Sequence, residues 1–118
     1  MSIERLILAK YRFEKDKLIL DVQRSFTPDV ETSILLKDEK VAIVRIIDKR
    51  YDFDDMIILT NNYILYLDLE YDEIEKDSMP IDVELKKIEV RIKDEVIRDP
   101  DGDYPSKSVQ LVFPIKKR

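Results

Sequence analysis

Histidine, cysteine and tryptophan are absent from these 118 residues, and glycine occurs once, at Gly102. Without His or Cys, the usual zinc sites, thiol nucleophiles, disulfides and Ser-His or Cys-His pairs have nothing to be built from. One glycine cannot supply a Walker loop or a dinucleotide fingerprint, which need several at fixed spacing. Alanine, the best helix former, occurs twice, against 16 isoleucines and nine valines. That balance predicts β structure, because β-branched side chains are stiff at χ1 and suit a pleated surface. No apolar run approaches the roughly 18 residues that span a bilayer. The opening Met1-Ser2-Ile3-Glu4-Arg5 lacks the pattern of a secretory leader, so an intracellular, cytoplasmic protein, or one assembled in a virus particle, is expected.

What is present is a hydrophobic fraction of 44% beside 40% charged residues. That supports one core, and 1–118 reads as a single β-rich domain. Net charge is −5, unevenly spread: +2 over residues 1–27, −10 over 28–85 and +3 over 86–118. Overall acidity argues against nucleic acid and anionic membrane as partners. The division suggests an acidic side and basic ends able to meet a copy of the chain or another protein, beside the plainer reading of a solvated surface.

Alternation locates the strands. Ala9, Tyr11 and Phe13 alternate with Lys10 and Arg12. After the polar Glu14-Lys15-Asp16-Lys17, Leu18, Leu20 and Val22 alternate in turn, which predicts a hairpin. A helix from Ser2 competes for the first part, since Ile3, Leu6, Ile7 and Lys10 share a helical face. Thr27-Pro28-Asp29 breaks the run. Ile34-Leu35-Leu36 and Val41 to Ile47 flank a polar turn, and the second reads as a strand covered on both faces. Met56–Thr60 and Tyr63–Leu67 flank Asn61-Asn62, a pair that tolerates the left-handed turn of a tight hairpin. The acidic stretch 68–77 reads as a loop. Residues 81–98 fit a strand through Ile88, Val90 and Ile92. They also fit a helix through Ile81, Leu85, Ile88, Ile92 and Val96, and their β-branched content favours strand. A turn at 99–103 leads to a last strand through Val109, Leu111, Phe113 and Ile115, where Pro114 marks either an edge strand or the strand's end.

Few constellations carry chemistry. Asp99, Asp101 and Asp103 resemble the opening of a calcium loop, but Tyr104 stands where that motif has glycine and Gln110 where it has glutamate. Asp-Gly turn chemistry accounts for the same residues. Tyr51-Asp52-Phe53-Asp54-Asp55 has paired carboxylates without a phosphate cradle, and reads as a solvated loop. Lys10, Arg12, Lys15, Lys17 and Arg24 beside Tyr11 and Phe13 form a basic, aromatic hairpin, interrupted by Glu14, Asp16 and Asp21. No catalytic, metal or cofactor residue emerges.

Leu36-Lys-Asp-Glu39-Lys-Val41, then Ile58-Leu-Thr-Asn-Asn-Tyr-Ile-Leu-Tyr66, then Met79-Pro80-Ile81 and Ile88 together resemble the pleckstrin-homology superfamily, in its GRAM, GLUE and bacterial branches. The match spans residues 36–92. It implies a curved seven-stranded sheet closed by a C-terminal helix and used to dock lipid or protein. The chain departs from it in having a hairpin before the matched region and no helical pattern after the last strand. No basic pocket for a phosphoinositide head can be aligned.

The expected fold is mostly β, a single compact antiparallel barrel or sandwich of six to eight strands with at most one helix. Leu8, Leu20, Ile43, Ile58, Leu65, Leu67, Ile88, Val90, Ile92, Leu111 and Phe113 are its expected core. The expected role is a non-catalytic interaction or assembly module, such as a structural subunit of a viral, phage or other large complex. Its partners would be proteins or further copies of the chain rather than nucleic acid or a small-molecule substrate. Docking on a membrane or a protein partner through the pleckstrin-homology-like region is the alternative. Candidate partner-binding residues are the acidic Asp68, Glu70, Asp72, Glu73 and Glu75 and the basic Lys116, Lys117 and Arg118.

Overall fold

The computed structural model describes residues 9–69 and 72–116 and contains two antiparallel sheets packed as a sandwich. β1 (Ala9–Glu14), β2 (Lys17–Val22), β8 (Glu89–Asp99) and β9 (Gly102–Pro114) form one sheet in the order β1-β2-β9-β8. β3 (Val30–Lys37), β4 (Val41–Asp48), β5 (Phe53–Thr60), β6 (Tyr63–Asp68) and β7 (Glu73–Ser78) form the other as a meander. The fold is a sandwich rather than a closed barrel. Among the described residues its nine strands exceed the expected six to eight, and its only helical element is a 3-10 turn, Leu85–Lys87.

The extra strand is β7, where a loop was expected. Glu73–Ser78 has poor strand propensity, but it completes a ladder along β6 in which Ile74 lies opposite Leu67. The Lys76 ammonium also sits 4.8 Å from the centre of the Tyr63 ring. Strand was the better reading for 89–98, whereas 81–88 is irregular apart from the 3-10 turn at Leu85–Lys87 and a bridge between Val83 and Ile115.

With one glycine, the chain turns on charged residues. Lys15, Asp38, Glu39, Asp52 and Asp72 take positive φ at the turns after β1, β3, β4 and β6. Asn61 and Asn62 do not adopt the expected left-handed conformation. The Thr60 hydroxyl instead accepts the N–H groups of Asn62 and Tyr63, both at 3.1 Å, and its side chain holds the turn.

The segment between β2 and β3 crosses from one sheet to the other. Phe26 exchanges backbone hydrogen bonds with Lys107 of β9 at 2.8 and 2.7 Å. Thr27 then donates from its N–H to buried Asp48 of β4 at 2.7 Å, and its hydroxyl bonds the other Asp48 oxygen. Leu18, Leu20, Val109, Leu111 and Phe113 face Ala42, Val44, Ile46, Ile57, Leu59 and Ile64 across the core.

The core expectation holds for Leu20, Leu111 and Phe113. It fails for Ile43, Ile58, Leu65 and Leu67, which alternate with the buried set and lie half-buried on the opposite face. Among the described elements β4 is therefore covered on one face, not both. Ile88 and Val90 are half-buried against the core, Ile92 is 41% exposed, and Leu8 lies outside the described residues.

Candidate functional site

The strongest concentration of charge inside the sandwich lies where the crossover meets β5 and β6. Alternation places Asp55 in the buried row with Ile57 and Leu59, and Asp68 in that with Ile64 and Tyr66; the register sets the two acids opposite each other. Arg24 reaches in from the crossover, its Nη1 donating to both Asp55 oxygens at 3.0 and 3.2 Å and to Asp68 at 3.1 Å. The Tyr66 hydroxyl donates to Asp55 at 2.8 Å. Desolvation raises the Asp55 pKa above its ordinary value, against the pull of Tyr66 and Arg24. The Tyr66 phenol is raised as well, first by its own burial and then by the neighbouring Asp55 charge.

Both Asp55 oxygens are taken by groups of the chain itself, in a fully buried position. The cluster clamps the crossover to the five-stranded sheet. Nothing in the local sequence announces it, because Arg24 lies 31 and 44 positions from its two carboxylates.

The sequence-predicted partner residues do not form one surface. Asp68 belongs to the buried cluster. Asp72 lies in the turn before β7, and Glu73 is exposed at the start of that edge strand. Glu75 points inward and is half-buried beside Tyr11 and Tyr66. Lys116 is exposed, and its backbone N–H donates to the Asp82 carbonyl at 2.9 Å. Glu70, Lys117 and Arg118 lie outside the described residues. At the possible calcium turn, an Asp99 oxygen accepts the Asp101 N–H at 3.0 Å, and Asp103 pairs with Arg98 at 3.3 Å. Among the described residues, no three acidic groups converge as a metal site.

Sequence reasoning missed the outer face of the five-stranded sheet. The register aligns Leu35, Ile43, Ile58 and Leu65 in one cross-strand row, and Met56, Leu67 and Ile74 in the next, with Arg45 beside Met56. Leu35 is 54% exposed and Ile74 66%, and the residues between them are half-buried by one another. Among the described elements no third layer covers this face. The signal was in the sequence, since β4, β5 and β6 are apolar at both parities. A sheet face turned to solvent should carry polar side chains.

A cleft of about 360 Å³ opens where the tip of the β8–β9 hairpin meets the crossover, lined by Arg50, Tyr51, Ile97, Tyr104, Pro105 and Ser106 among others. The Ser106 hydroxyl is buried without a hydrogen-bond partner among the described residues. Among those residues no helix is long and apolar enough to cross a membrane. No family model, curated protein or solved structure matches the chain.

Proposed function

We propose that this chain is a non-catalytic interaction module that joins a larger protein assembly through the outer face of its five-stranded sheet. The observation that carries the reading is the contiguous run of Leu35, Ile43, Ile58, Leu65, Met56, Leu67 and Ile74 on a face no described element covers. Contiguous exposed apolar surface marks interaction sites, whereas scattered apolar residues need no explanation. The partner would present an apolar patch rimmed by charge, matched to the Arg45–Asp54 pair within the face and the Lys49–Glu31 pair at its border.

The test is recovery of a partner from the native source by the wild type and by the double variant Leu35→Glu/Ile74→Lys. Both substitutions fall on exposed positions, so the melting temperature should hold while the partner is lost. A variant that keeps the same partner at the same yield refutes the reading. Binding of the wild type to anionic vesicles in place of any protein would favour lipid docking instead.

A further inference from the structure

β8 is an edge strand of 11 residues whose outer side pairs with nothing among the described elements. Its unpaired backbone groups can be assigned. Lys107 of β9 spends its N–H and its carbonyl on Phe26, on the side away from β8. Asp94, directly opposite Lys107, is therefore in a non-hydrogen-bonded position of the β8–β9 ladder. By the alternation of an antiparallel ladder, the N–H and C=O groups of Val90, Ile92, Asp94, Val96 and Arg98 point outward from the free edge. Long open edges of this kind are templates for another strand.

The side chains along that edge specify which strand fits. We propose that β8 pairs antiparallel with β8 of a second copy, about a two-fold axis at Asp94, joining the two four-stranded sheets into one. This rests on the reading of the chain as an interaction module and names one of its partners. In this register Lys93 lies opposite the partner's Glu95 and Glu95 opposite its Lys93, in the closer, non-hydrogen-bonded pairs. Ile92 lies opposite the partner's Val96, and the reverse, on the core-facing side. Ile92 and Val96 are 41% and 57% exposed, so both gain cover.

Like charges meet at Asp94 with the partner's Asp94, where each carboxylate is already held by its own Lys107, and at the two ends of the ladder, where Glu89, paired with its own Arg91, faces the partner's Asp99. Moving the axis by one residue either way sets Lys93 against Lys93 or Glu95 against Glu95 and puts Asp94 opposite Ile92 or Val96, which breaks the apolar Ile92–Val96 pair. The chosen register exchanges about ten main-chain hydrogen bonds and is self-complementary, as a two-fold interface must be.

Sedimentation equilibrium on the full chain tests the pairing. The wild type should dimerise reversibly. Lys93→Glu sets four acidic groups together and should weaken the dimer about tenfold or more. The double exchange Lys93→Glu/Glu95→Lys should restore it. Val96→Pro removes an outward N–H without touching the β9 ladder, a place where edge strands tolerate proline, and should give a folded monomer. A wild type that stays monomeric at all concentrations overturns the pairing, as does a dimer indifferent to both Lys93→Glu and Val96→Pro. The interaction-module reading fails separately: its signature is a partner retained by Leu35→Glu/Ile74→Lys, whatever the oligomeric state.

Discussion

The two faces of the five-stranded sheet are built from much the same residues and meet opposite fates. The inner face holds Ala42, Val44, Ile46, Ile57, Leu59, Ile64 and Tyr66, all buried, together with Asp48, Asp55 and Asp68. The outer face holds Ile43, Met56, Ile58, Leu65 and Leu67, half-buried, with Leu35 and Ile74 exposed. The acids lie on the dry side, where the pattern of a half-buried sheet would put apolar residues. Cover, not composition, separates the faces. The four-stranded sheet and the crossover close one, and no described element covers the other.

The largest effect should come from breaking the inner clamp. Arg24→Ala removes the cation shared by two buried carboxylates, and loss of one member of a buried pair costs about 3–5 kcal/mol. Urea unfolding should show that loss; a cost below about 1 kcal/mol would mean that the cluster is solvated and the inner face open.

The same cluster sharpens the comparison through pH. The folded-state pKa of Asp55 is raised by burial, so the folded chain holds that proton more tightly than the unfolded chain. Its contribution is fully present below the unfolded carboxylate pKa and is lost as pH rises through the folded one. Asp55→Asn keeps the shape and leaves Arg24 with Asp68. Relative to this variant, the wild type should lose stability as pH rises through the carboxylate range. Parallel stability curves for the two proteins would contradict the assignment.

On the outer face the expected effects are small. Leu35→Glu should change stability by no more than about 0.5 kcal/mol, as for surface positions without a structural role. A loss of about 2 kcal/mol or more, the scale of a disturbed core, would show that something covers this face.

Much of the architecture was legible because alternation and turn chemistry agreed. Leu18, Leu20 and Val22 after a polar turn made the first hairpin readable, as did the apolar runs on either side of Asn61-Asn62 and the Asp-Gly turn before β9. The orientation of the middle strands was not. Ile57, Leu59 and Tyr66 at one parity, and Ile58, Leu65 and Leu67 at the other, leave the pattern apolar on both sides, and Asp55 and Asp68 suggest solvent where the core lies. β7 was hidden by its acidic composition, since its pairing comes from the edge of β6 rather than from propensity. Arg24 was hidden by distance along the chain. The outer face was signalled by that two-sided apolar pattern, but which residues form it emerged only with the register.

The most direct measurement compares two neighbours on β5 that point to opposite faces, Leu59→Ala and Ile58→Ala, by urea unfolding under identical conditions. Leu59 is fully buried, and its truncation should cost about 2–5 kcal/mol. Ile58 lies on the outer face, and its truncation should cost about 1 kcal/mol, the scale of strand propensity and cross-strand contact. Equal costs, or a larger cost at Ile58, would turn the sheet over and contradict the account.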